Sequence, residues 1–337
     1  MSDQMPGGQA RPSHRRGRGC LLGLGAGLVL LLGLMLIGPI YESKAEAADA
    51  QAYPPPGQLV DIGGYRLHIH CTGKGSPTVV IDAGWGDFST SWTGVQQEAA
   101  KTTQVCTYDR AGSGWSDPGP LPRNALQYAK ELHSLLHNAN LPGPYVLAGH
   151  SMGGIPVRVF TDLYPAEVAG VVLMDSMVPG QFTAPPQAAT RQAGSPSRSF
   201  SILPSLARIG AVRLFSGALG LVPAELPAQE AKAYLSRVVR PDSLQAYMDE
   251  GRGVPASGAQ EKAVKTFGDI PLIVLTARLN STYPDWPAWQ AEQLQLSSNS
   301  QQMFAEKSGH NIQYEQPDAA VAAIVKMVNL VRQAVKE

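Results

Sequence analysis

The chain is poor in cysteine, in charge and in aromatic rings. Three cysteines among 337 residues are too few for a fold held by disulfides. Charged residues make up 16% against 44% apolar ones, which excludes wholesale disorder because ample apolar surface is available to bury. A net charge of one sign is also missing, since 27 Lys and Arg balance 27 Asp and Glu. The zero is a sum of unlike parts. Residues 1–19 hold Arg11, Arg15, Arg16 and Arg18 against Asp3, so they carry +3 and the remainder carries −3. With no basic stripe on the slightly acidic bulk of the chain, a nucleic-acid partner is not expected.

Charge is absent altogether from residues 19–41, GCLLGLGAGLVLLLGLMLIGPIY. About 20 helical residues span a bilayer core of about 30 Å, and arginines before such a run favour a cytoplasmic N-terminus. The expectation is a basic cytoplasmic arm at 1–18, a transmembrane signal-anchor at 19–41 and a domain outside the cytoplasm. The rival is a cleaved signal peptide, with the small residues of 45–50 as cleavage site and a secreted product. Residues 42–57 are Ala-rich and then Pro-rich, without an apolar face, and are expected to form a linker. The folded domain is expected at 58–337.

Within it, short apolar runs alternate with helical patterns. Strands are expected at 58–62, 65–71, 78–81, 104–108, 145–148, 170–174, 271–276 and 302–305. Helices are expected at 93–101, 125–138, 152–163, 286–296 and 317–335. Such alternation predicts a mostly parallel sheet covered on both faces. Residues 178–268 break the rhythm with helical patterns at about 201–219, 227–239 and 242–250, and read as an insertion.

Gly149-His150-Ser151-Met152-Gly153 lies between the apolar run YVLA and a helical pattern. A serine on a sharp strand-to-helix turn needs neighbours without bulk, and this context suits a nucleophile elbow. A serine hydroxyl needs a base. Of seven histidines, His68 and His70 share a strand face with no third metal ligand evident. His133 and His137 lack the adjacent glutamate of a zinc protease, and His150 is expected to point away from the serine. His310, in Ser308-Gly309-His310 after the last predicted strand, is placed to reach the top of the sheet.

Together with Asp82-Ala83-Gly84-Trp85-Gly86 and Asp109-Arg110-Ala111-Gly112-Ser113-Gly114-Trp115-Ser116, these motifs follow a familiar order. Over residues 58–337 the chain resembles the α/β-hydrolase superfamily, in its lipase/esterase and proline-iminopeptidase-like branch. The resemblance implies an α/β fold with an eight-stranded mostly parallel sheet and a helical lid at 178–268. It implies Ser151 as nucleophile, His310 as general base, and the backbone N–H groups of Trp85 and Met152 as oxyanion donors. Gly84 and Trp115 are expected at the substrate, and the Asp109-Arg110 loop is expected to organise the turn near the site. The usual place of the acid, after strand seven, reads Thr276-Ala277-Arg278-Leu279-Asn280 without a carboxylate. Asp175 after strand six is the preferred acid and Asp285 the alternative.

In this fold the second and fourth strands are neighbours, so Cys71 and Cys106 are expected either to pair or to remain two buried thiols. The leading expectation is a membrane-anchored serine hydrolase acting on esters with an apolar portion. One alternative is an aminopeptidase or amidase, with Glu225, Glu230, Asp249 and Glu250 available to hold a substrate ammonium. Others are a non-hydrolytic lyase or oxygenase and a non-catalytic binding protein. No metal or organic cofactor is implied, and the expected partners are a small-molecule ester or amide and a bilayer around 19–41.

Overall fold

The computed structural model describes residues 15–182 and 200–334, with residues 15–32, 34, 180, 182 and 200 described by their backbone alone. Eight strands form one sheet: β1 (Gln58–Asp61), β2 (Arg66–Thr72), β3 (Val79–Asp82), β4 (Val105–Tyr108), β5 (Tyr145–His150), β6 (Val168–Met174), β7 (Leu272–Ala277) and β8 (Ser300–Ala305). Their spatial order is β1-β2-β4-β3-β5-β6-β7-β8. β1 and β2, and β2 and β4, pair antiparallel; every later pairing is parallel. Each strand expected from the sequence is present.

The helices are α1 (Arg15–Ala52), α2 (Thr93–Ala99), α3 (Ala125–Asn138), α4 (Gly154–Leu163), α5 (Leu203–Arg208), α6 (Ala211–Leu214), α7 (Ser216–Leu219), α8 (Ala228–Val238), α9 (Pro241–Ala263), α10 (Trp286–Glu292), α11 (Ile312–Glu315) and α12 (Pro317–Ala334). The two-residue period of the central strands sorts their side chains between two cores. Leu147, Val171, Leu173 and Val274 face one core with Leu132 and Leu136 of α3 and Ile155 of α4. Val146, Ala148, Val172 and Ile273 face the other with Val95 of α2 and Ile324 and Met327 of α12. A sheet buried on both faces explains the near-continuous apolar runs in the sequence.

Helices α5 to α9 form the insertion between β6 and β7. Its longest helix, α9, runs past the 242–250 expected from the sequence, because tertiary contacts override Gly251, Gly253 and Pro255. A Cβ on Gly253 would lie 1.7 Å from the Arg123 carbonyl oxygen, so glycine permits close approach to the start of α3. There, the Ala125 N–H donates to Ser257 Oγ (3.0 Å) and the Leu126 N–H to Gln260 Oε1 (2.9 Å). The insertion helix α9 thus satisfies amides that no intrahelical acceptor reaches.

Residues 42–52, expected to be a linker, instead continue α1 as helix. Arg213 of α6 binds Glu42 at 2.7 Å and Asp49 at 2.6 Å. The Ala-rich composition suits a helix, and its acidic face is neutralised by Arg213 rather than by an apolar partner. Among the described residues no helix is long and apolar enough to cross a membrane. Much of the expected span, 19–32, lies where side chains are outside the description. Cys71 and Cys106 sit directly opposite on β2 and β4 and are joined as a disulfide.

Candidate active site

The turn after β5 has little freedom. Ser151 adopts φ 52°, a left-handed conformation rare outside glycine. A Cβ on Gly149 would meet the Gly153 carbonyl at 2.6 Å, and one on Gly153 would meet the Asp82 and Ala83 carbonyls at 2.4 Å. The glycines two residues either side of the serine are therefore sterically required.

The fold brings three distant residues to this turn. Ser151 Oγ lies 2.8 Å from His310 Nε2, and His310 Nδ1 lies 2.7 Å from Asp175 Oδ2. A carboxylate only accepts, so Nδ1 carries the proton toward Asp175 and Nε2 presents its lone pair to the serine hydroxyl. Asp175 is fully buried just beyond β6, at φ 42°. Its Oδ1 accepts from the Ala277 N–H (3.0 Å) and the Trp286 Nε1–H (2.8 Å), and its Oδ2 also accepts from Asn280 Nδ2 (2.6 Å). The alternative acid, Asp285, is exposed at the start of α10, and its side chain makes no cap hydrogen bond there. The Nδ1 face of His310 is already taken by Asp175.

Asn280 occupies the loop after β7 where the resemblance leads one to look for an acid. It binds Asp175 and lies 3.4 Å from His310 Nδ1. An amide at this position thus orients a carboxylate at the end of the neighbouring strand, a role that the residue type alone does not signal. His150, expected to point away from the serine, faces the His310 loop. Its Nε2–H donates to the His310 backbone carbonyl at 2.8 Å, tying the histidine loop to the elbow. Burial, and then the nearby His310 charge, push His150 down to about 3, so it stays neutral.

Gly84 and Trp85 line the cavity that contains Ser151 and His310. A Cβ on Gly84 would sit 3.4 Å from the Ser151 Cβ. Trp115 does not line this cavity, contrary to expectation. It lies on a second cavity, where its Nε1–H donates to the Tyr53 carbonyl (3.1 Å) and its ring packs against His68. The chain before β1 covers it, which sequence spacing does not reveal.

Arg110 organises the turn after β3, as expected for its loop. Its guanidinium donates to Asp82, to the Ala83 and Gly84 carbonyls and to Glu250 Oε1 (2.7 Å), while Glu250 Oε2 accepts from the Gly86 N–H (2.8 Å). One buried ion cluster therefore joins the sheet, the turn after β3 and α9. His68 Nδ1 binds Asp109 Oδ2 at 2.9 Å, so that pair is structural. Among the described residues, no group of three His, Cys, Asp or Glu is arranged to hold a metal.

The sequence pattern of the alpha/beta hydrolase family matches residues 69–324, more than half of the chain. The chain belongs to the alpha/beta hydrolase family. Within curated relatives of this kind it is 25% identical over 271 residues to uncharacterized protein YqjL of Bacillus subtilis (strain 168), covering 78% of this chain and 88% of that one. It is 34% identical over 126 residues to the probable transporter efuK of Hormonema carpetanum, covering 35% of this chain but only 18% of that protein. In three dimensions the alpha/beta hydrolase domain is similar to a thermophilic esterase from Thermogutta terrifontis, with a TM-score of 0.57 and 20% identity over 81% of this chain and 98% of that one. At that identity the likeness is one of fold alone.

Proposed function

We propose that this chain is a serine hydrolase that cleaves carboxylic esters, with Ser151 as nucleophile, His310 as general base and acid, and Asp175 as the orienting acid. The observation that supports this reading is the chain of hydrogen-bond contacts from Ser151 through His310 to Asp175. Ser151 Oγ attacks the ester carbonyl carbon as its proton passes to His310 Nε2. The tetrahedral oxyanion is held by the backbone N–H groups of Trp85 and Met152. As the C–O bond breaks, His310 returns the proton to the departing alcohol. Water then attacks the acyl-serine, giving a proton to His310; the carboxylic acid leaves and the Ser151 hydroxyl is restored.

A fluorophosphonate is expected to label the folded protein, and Ser151→Ala to abolish labelling without lowering the melting temperature by more than a few degrees. No labelling of folded wild-type protein would overturn the reading in favour of a binding role. Turnover of p-nitrophenyl esters against aminoacyl anilides then separates esterase from amidase.

We also propose that residues 19–41 anchor the domain in a membrane, with residues 1–18 cytoplasmic and the active site outside. The exposed apolar side chains of Met35, Leu36, Ile37 and Ile40 support this, as does the Cys71–Cys106 disulfide, since such bonds persist in oxidising compartments. The full chain is expected to stay in the membrane pellet after alkaline carbonate extraction. Its release in soluble form would sink the anchor and favour a cleaved signal.

A further inference from the structure

The cavity that holds Ser151 and His310 has a volume of about 460 Å³. Among the described residues its lining includes two carboxylates, Asp87 and Glu225, and no lysine or arginine. Neither belongs to the catalytic machinery described above. The sequence offered Glu225, Glu230, Asp249 and Glu250 as acidic candidates, and the fold separates them. Glu250 is committed to Arg110 and Gly86, Asp249 pairs with Arg252 at 2.6 Å, and Glu230 lines the second cavity. Glu225 alone reaches the catalytic cavity, where Asp87, from the turn after β3, joins it.

Asp87 is half-buried and accepts a hydrogen bond from Ser91 Oγ. Arg110, the nearby guanidinium, is committed to Asp82, Glu250 and two carbonyls. Burial pushes the Asp87 carboxyl up to about 6, against Ser91, the Phe88 N–H and Arg110, with Asp109 adding to the rise. It is thus a carboxylate above neutral pH, and among the described residues no Lys, Arg or His is ion-paired with it. Gln313, which is 6% exposed, lines the same cavity, and its Oε1 has no hydrogen-bond partner among the described residues. Buried acceptors without donors are unfavourable until a ligand supplies them. Aromatic rings are plentiful too: Trp85, Tyr234, Tyr247, Tyr283 and Tyr314 all line the cavity, with one face of Trp85 and Tyr247 taken by their mutual stacking and one of Tyr234 by Phe88. Ring faces attract cations, and the carboxylates repel anions.

We propose that the site takes substrates whose non-reacting portion carries a protonated amine, held by Asp87 and Glu225 among the tyrosine and tryptophan rings. The chemistry rests on the serine hydrolase reading, whereas the recognition does not. A neutral apolar substrate would leave both negative charges without a cation and the Gln313 oxygen without a donor, so amine and carbon isostere should separate clearly.

The test compares isosteres on the full chain at a pH above the Asp87 range. Calorimetry measures binding of protonated aminopentanol against hexanol, and turnover is measured for p-nitrophenyl aminohexanoate against p-nitrophenyl heptanoate. The amine is expected to be preferred by roughly tenfold in both measurements. That preference should fall toward one in Asp87→Asn and in Glu225→Gln; Glu225 is exposed, so its variant carries little folding risk. Equal binding of the two alcohols, or a preference that persists in both variants, would overturn the proposal. Tighter aminopentanol binding with neither ester turned over would uphold the recognition and remove the esterase reading instead.

Discussion

Asp175→Asn is expected to lower turnover of an activated ester about 10³- to 10⁴-fold while the protein stays folded, and Asp285→Asn to leave it within about twofold. The expectation follows from donor and acceptor counting. Asp175 Oδ1 already accepts from Ala277 and Trp286, and Oδ2 accepts from Asn280 and His310. In the asparagine variant the oxygen stays with the first two donors, so the amide NH₂ faces Asn280 and His310 Nδ1. A donor opposite Nδ1 selects the tautomer with its proton on Nε2, which can no longer take the serine proton. The negative charge that stabilises the imidazolium is lost as well. Steady-state kcat and fluorophosphonate labelling rates, with circular dichroism as a folding control, measure the effect. A large loss in Asp285→Asn with near-normal Asp175→Asn would reverse the assignment.

The largest stability effect is expected for Arg110→Met, at about 3–5 kcal/mol, the usual consequence of removing one partner from a buried ion cluster. Arg110 is 3% exposed and neutralises Asp82 and Glu250, which are as buried as it is. Even with Arg110 present, burial pushes the Asp82 carboxyl up to about 6. The sign then follows. A folded-state pKa above the unfolded value means the folded protein holds the proton more tightly. The associated stability is therefore present below the unfolded pKa near 3.8 and lost as pH rises through about 6. Without Arg110 the Asp82 carboxyl should rise further, so the deficit of the variant should be largest near pH 8 and shrink near about pH 5.5. Urea unfolding at both pH values measures this, and a deficit independent of pH would rule out the electrostatic cause. Adding Glu250→Gln should recover part of the loss, because it removes one of the orphaned charges.

The alternation of strands and helices, the insertion and the elbow were legible because each has a local cause. Two-residue periodicity marks a strand, and a serine between glycines marks a turn that side chains cannot enter. Ser151 and His310 were readable for the same reason, each lying beside a motif of its own. Asp175 against Asp285 was a different kind of question. Both lie after strands or loops that approach the histidine in sequence order, and only the path of the chain beyond β6 puts a carboxylate against Nδ1. Trp115 lies on a second cavity because the chain before β1 folds back over it, a contact that no local pattern marks. Residues 42–52 form helix rather than a linker with the help of a partner, Arg213, that lies far away in the insertion between β6 and β7.

What the sequence by itself determined is therefore the part written in nearest neighbours: the order of elements, the apolar run at 19–41, the strained serine and the loop histidine. The tertiary structure alone decided what depends on distances between remote segments. It set Asp175 against His310 Nδ1, with Asn280 and Trp286 donating to its carboxylate, set His150 against the His310 loop, and placed Asp87 and Glu225 on the lining of the cavity that holds Ser151. The physical reason is that a side chain's role is set by the group it meets, and a folded sheet brings together residues that the linear order keeps more than a hundred positions apart, as with His310 and Asp175.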